Sequence, residues 1–170
     1  MASHKPLKFD PIEEAHRQWV AQEWGEAALG MALVTSIMRA QQIYLARVTR
    51  ALRSFDLTFA RFELLALLSF TRTGSLPLNK VGARLQVHPA SVTHVVDRLE
   101  DSGLVRRLPH QTDRRTVLVS ILPSGRKVFR RAARALNEEV FRDPGLSSDQ
   151  AKIVVGLITE LRLSEGDFEP

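Results

Sequence analysis

The chain has 170 residues, enough for one domain or two small fused ones, and its 44% apolar and 25% charged residues suit a folded globular protein and are too rich for disorder. It contains no cysteine, which excludes disulfides, thiolate metal sites, cysteine nucleophiles and thiol-based redox sensing. Its net charge of +5 is uneven: residues 72–131 hold 12 Lys/Arg against 4 Asp/Glu while the remainder carries −3, so a basic block sits in an acidic frame, either as a polyanion-binding surface or as a solvated basic face.

The predicted elements run as follows. Residues 12–24 read as a short helix, with Ile12, Ala15 and Trp19 at helical spacing and Glu13 and Glu14 early, where the helix dipole favours them. A long apolar helix follows over residues 26–53, marked by Leu29, Leu33, Ile37, Ala40, Tyr44, Val48 and Leu52. Met31, Val34, Met38 and Ile43 widen its stripe over more than one face, which suggests burial between subunits. Thr58 can cap the next helix, with Phe62, Leu65 and Leu68 inside and an end near the Gly74-Ser75 turn. Two short helices, residues 78–85 and 89–102, are separated by Gln86, Val87 and His88. After Gly103 the period changes, and residues 104–108 and 117–122 read as a two-stranded hairpin around a polar, basic loop. Pro123 and Ser124 start a helix to about Phe141, Asp143-Pro144-Gly145 breaks it, and Ser147 or Ser148 caps a last helix through about Leu163. No apolar run approaches about 18 residues, so no membrane span is expected. Residues 1–8 lack an apolar stretch, so the expected location is cytoplasmic.

Two helices joined by a three-residue turn form a helix-turn-helix unit. Leu78, Val81 and Leu85 line the inner side of the first, and Val92, Val95, Val96 and Leu99 that of the second. The outer side of the second carries Ala90, Ser91, Thr93, His94, Asp97, Arg98 and Asp101, short near the N-terminus and longer beyond, as entry into a groove about 12 Å wide requires. A helix pair in any bundle would also present a solvated face. The hairpin that follows, with Arg114 and Arg115 at its tip, makes the pattern more specific, because a narrow minor groove attracts arginine. Asp113 can pair with Arg115 and hold its fork in one orientation.

Residues 57–131 resemble the MarR family of bacterial winged helix-turn-helix transcriptional regulators. The resemblance rests on the segment LTFARFELLALL, the helix ASVTHVVDRLEDSGLV and the wing DRRTVLVSILPSG with its Asp-x-Arg pattern. It implies a mainly α fold: a winged helix-turn-helix DNA-binding domain at residues 57–122, between N-terminal (1–56) and C-terminal (123–170) helices that form a dimerisation domain. It further implies a homodimer reading palindromic double-stranded operator DNA as a repressor. A small aromatic or anionic effector would bind where the dimer helices meet the winged helix. By position, Ala90, Ser91, Thr93, His94 and Arg98 face the major groove, and Asp113, Arg114 and Arg115 belong to the wing. His94 stands where many relatives place a longer polar residue. Phosphate contacts are expected from Arg72, Lys80, Arg84, Arg106, Arg107, Arg114 and Lys127, with the steep salt dependence such contacts bring.

For the effector, His16, Trp24, Arg39 and Phe62 are the candidates. Arg39 lies among Ile37, Met38 and Ala40, and a cation beside apolar groups suits an aromatic acid. It would equally face solvent or pair with an acid across the dimer. Trp24, with Trp19, and Phe62 fill a core or interface on the plainer reading, and His16 is then a solvated helix residue. The five histidines show no metal-ligand spacing, so no metal or cofactor is expected. Ser91 and His94 are three residues apart on an exposed face with no oxyanion site, and no glycine-rich phosphate loop occurs, so no enzyme is expected. The competing reading is a winged-helix protein-interaction module that does not bind DNA.

Overall fold

A computed structural model of the chain describes residues 7–85, 89–109 and 116–169. The predicted turn Gln86-Val87-His88, the wing residues Asp113, Arg114 and Arg115, and the side chain of Ala90 lie outside the described residues. The chain divides into two compact units, Met1–Phe59 and Ala60–Pro170.

The first unit is a helical pair. Helix α1 (Pro11–Ala21) starts where Pro11 presets the first helical turn and Asp10 Oδ1 accepts the Ile12 N–H at 2.8 Å. It packs on α2 (Gly25–Leu52), burying Ala28 to 1% exposure, and the rings of Trp19 and Trp24 meet at 5.1 Å. At 1.5 Å per residue α2 is about 40 Å long. Leu29, Leu33, Val34, Met38, Ile43 and Leu45 stand exposed along it. A single 3-10 turn, Arg53–Phe55, ends it.

Helix α3 (Phe59–Phe70) leads into the second unit and buries Phe62, Leu64, Leu65 and Leu68. Full burial of such a side chain stabilises the fold by roughly 1.5–3 kcal/mol. It stops at Phe70, short of the expected Gly74, because residues 75–77 form a strand that the sequence pattern does not reveal. That strand, β1 (Ser75–Pro77), pairs antiparallel with β3 (Val117–Ile121), which also pairs with β2 (Val105–Pro109). The expected two-stranded hairpin is thus a three-stranded sheet in the order β1-β3-β2. A run of Ser, one Leu and Pro has neither the length nor the alternation that marks a strand. Its pairing partner, 41 or more residues away, supplies what the local sequence does not.

Between β1 and β2 lie α4 (Leu78–Leu85) and α5 (Pro89–Asp101), packed against each other. Val81, Val92, Val96 and Leu99 are buried, as the inner stripes predict. Gly103, at φ 66°, closes α5, with the Leu104 N–H donating to the Leu99 carbonyl and the Gly103 N–H to that of Glu100, both at 2.9 Å. Helix α6 (Pro123–Leu136) continues into a π-helical turn, Asn137–Phe141, where uninterrupted α-helix was expected. Within the second unit, the Phe129 ring of α6 lies 5.6 Å from both Phe62 and Phe70 of α3. Ser147 caps α7 (Ser148–Ser164) through a reciprocal box with Gln150.

The start of α6 touches the turn after α5. Ser124 Oγ donates to the Gly103 carbonyl at 2.6 Å, and the Leu122 N–H donates to the Leu104 carbonyl at 3.0 Å. Gly125 is buried so close that a Cβ would run into the Leu104 carbonyl oxygen and stand 2.9 Å from Ile121 Cγ1. Gly125→Ala must therefore push the two segments apart, at a cost of about 1–3 kcal/mol. A thermal melt should show a fall of several degrees, and an unchanged midpoint would refute the close approach.

Candidate nucleic-acid interface

Burial divides α5 as the sequence predicts. Val92, Val96 and Leu99 are buried, while Ser91, Thr93, His94, Asp97, Arg98 and Asp101 are exposed. This follows from the 3.6-residue period: three branched apolar residues at i, i+4 and i+7 fix one side and leave the other outward. Arg72, Lys80, Arg84, Arg106 and Lys127, all in the second unit, are exposed as well. The register of β2 with β3 runs out to the pair Pro109↔Val117.

Arg107 is placed differently from these cations. Alternation along β2 puts it on the face of buried Val105, opposite fully buried Val119, whereas Arg106 points the other way. Its side chain is only 27% exposed. Its Nη2 donates to Asp97 Oδ1 at 2.5 Å, its Nη1 donates to Glu100 Oε2, and its backbone N–H donates to Glu100 Oε1 at 2.7 Å. The guanidinium for which a phosphate contact is expected thus bonds two carboxylates of its own chain. Glu100 was not singled out from the sequence at all. The available signal was a pair of acids, Asp97 and Glu100, on one side of a helix that a glycine turn leads back toward an arginine-bearing strand. The Arg107 backbone N–H, and then its guanidinium, hold the Glu100 carboxyl below its ordinary range.

The effector candidates are spread over both units. His16 is half-buried on α1, Trp24 is 53% exposed beside Trp19, and Arg39 on α2 donates to Gln42 Oε1 at 3.1 Å. Phe62 belongs to the second unit, where it is buried against Phe129 as a core residue. Glu63 next to it has its carboxyl pushed up by burial. Among the described residues no group of three or more His, Asp or Glu stands together as metal ligands, and no helix is long and apolar enough to cross a membrane.

Comparison with known proteins follows this geometry. The sequence pattern of the MarR family matches residues 57–117. An uncharacterized HTH-type transcriptional regulator of Mycobacterium leprae is 38% identical over 103 residues, spanning 58% of this chain and 72% of the relative. The chain spans about half the length, 53%, of the next curated relatives. Among solved structures, a MarR family transcriptional regulator from Streptomyces coelicolor is 42% identical with a TM-score of 0.75, over 83% of this chain and 98% of the other. A second Streptomyces coelicolor regulator of that family, solved in complex with DNA, is 23% identical with a TM-score of 0.67, over 81% and 87%, and shares the fold.

Proposed function

Because the chain belongs to the MarR family of transcriptional regulators and is not an enzyme, we propose that it represses transcription as a homodimer bound to pseudo-palindromic operator DNA. The observation that carries this reading is the outward face of α5: small and polar at Ser91, Thr93 and His94, then basic at Arg98, over an apolar stripe that fixes its orientation. Ala90, Ser91, Thr93, His94 and Arg98 read the major groove. Asp113, Arg114 and Arg115 form the wing, with Arg115 entering the minor groove and Asp113 orienting it. Arg72, Lys80, Arg84, Arg106 and Lys127 bind phosphates and give the affinity its salt dependence. The N-terminal (1–56) and C-terminal (123–170) helices form the dimer, and the two half-sites lie about one helical turn apart. A small aromatic or anionic effector, held near His16, Trp24 and Arg39, releases the DNA. Burial of Phe62 against Phe129 favours a core role for that residue. The cytoplasm is the compartment where such a regulator works.

Selection of bound duplexes from a random DNA pool tests the reading. Recovery of a site with two inverted halves supports it. A chain that retains no duplex at low ionic strength refutes it and turns attention to protein partners of the wing. The same selection tests the role of His94. The imidazole can bond one purine acceptor, worth about 1–3 kcal/mol of discrimination at one base pair. His94→Ala should therefore relax the selected sequence at one position per half-site and leave the salt slope unchanged. The same consensus from the variant would show that His94 reads no base.

A further inference from the structure

The face of α5 offered to DNA carries carboxylates as well as Arg98: Asp97 and Asp101 are exposed and Glu100 is half-exposed. Carboxylates beside a polyanion repel it, so their presence requires an explanation. The structure supplies one for Asp97 and Glu100, since a single guanidinium, that of Arg107 on β2, bridges both. The same Glu100 also accepts the Arg107 backbone N–H at 2.7 Å, so side chain and main chain of one strand residue grip one helix residue.

We propose that Arg107 is a positioning residue for DNA recognition: with Asp97 and Glu100 it clamps the C-terminal half of α5 to strand β2, and so fixes the helix that reads the major groove relative to the hairpin that carries the wing. The inference rests on the DNA-binding reading above and deepens it. Charge-assisted hydrogen bonds in a fork geometry fix direction as well as distance, which makes the clamp suited to setting an angle. The turn after α5 is already held at its end by Gly103, and by Ser124 from the start of α6. The clamp adds a second fixed point one helical turn back, at Asp97, and two points define an orientation where one leaves a hinge. It also neutralises the two carboxylates nearest β2, so the helix approaches phosphates with little opposing charge. Arg107 itself then adds no phosphate contact.

The test uses the full chain and the duplex recovered by selection, with affinity measured against salt concentration. Arg107→Met should weaken binding roughly tenfold or more, as expected for loss of hydrogen bonds to charged groups, with the salt slope unchanged. Arg107→Lys should recover part of the loss, because an ammonium keeps the charge and not the fork. A salt slope lowered by about one per subunit would make Arg107 a phosphate contact and overturn the clamp. Should Arg107→Met fail to fold, Glu100→Ala decides by sign. It removes a negative charge from the DNA-facing helix, so bare electrostatics predicts tighter binding, while loss of the clamp predicts weaker binding and faster amide exchange at β2. Tighter binding overturns the proposal. Wild-type chain that retains no duplex overturns the regulator reading beneath it, whereas wild-type binding with unaltered Arg107→Met affinity overturns the clamp alone.

Discussion

Leu157→Asp should split or unfold the proposed dimer. Helix α7 has 17 residues and none of them is buried within one chain. Ile153 is 63% exposed, Leu157 61% and Leu161 48%, at i, i+4 and i+8, with Val154 and Ile158 beside them at 41% and 40%. That is the apolar stripe of a core-facing helix left exposed by the described residues, and a stripe of this length marks an interaction site. Helix α2 repeats the pattern with Leu29, Leu33, Val34, Ile37 and Met38. A second copy of the chain is the partner the proposed function requires. Losing a buried leucine costs about 1.5–3 kcal/mol. An unpaired carboxylate buried in its place costs several more, and twofold symmetry counts both losses twice. The sum is on the order of 6 kcal/mol or more, at least a ten-thousandfold rise in the dissociation constant. Sedimentation of the purified variant should find monomer or unfolded chain. A folded variant of native dimer mass at micromolar concentration would show that α7 lies outside the interface.

The elements with strong periodicity were legible in the sequence. The stripes of α2, α4 and α5 each repeat an apolar residue every three or four positions, and burial of Val81, Val92, Val96 and Leu99 follows from them. One cap was legible too: of the two serines expected to cap the last helix, Ser147 does so, whereas the Asp10 cap and Pro11 start of α1 were not read from the sequence. What escaped is set by distant partners. β1 exists because Leu76 finds Val119 across the sheet, and three residues containing one apolar side chain announce nothing locally. The π-turn at Asn137–Phe141 differs from α-helix by one hydrogen-bond step, Arg142 N–H to the Asn137 carbonyl, which no residue type encodes. Arg107 was legible as a cation and illegible as a clamp. Composition counts its charge, but only the register of β2 shows that the charge turns inward, onto Asp97 and Glu100.

Arg115→Ala should abolish operator binding at physiological salt while leaving the dimer and its melting temperature intact. The register of β2 and β3 runs out to the pair Pro109↔Val117. Between these two positions the sequence carries Asp113, Arg114 and Arg115 consecutively. An arginine delivered into a narrowed minor groove meets the most negative potential on the duplex, and one lost contact there weakens binding in both halves of a palindromic site. At about 1.5–3 kcal/mol per charge-assisted contact, two equivalent losses multiply to a hundredfold or more. The salt slope should fall by no more than about two for the dimer, because other cations still neutralise phosphates. Asp113→Asn should produce a smaller loss in the same direction, the outcome expected of the orienting role proposed for its carboxylate. A titration in which Arg115→Ala keeps wild-type affinity would remove the wing from the interface and leave recognition to α5 alone. Loss of affinity together with loss of dimer mass would instead assign Arg115 to the fold, and equilibrium sedimentation of the same sample separates these outcomes.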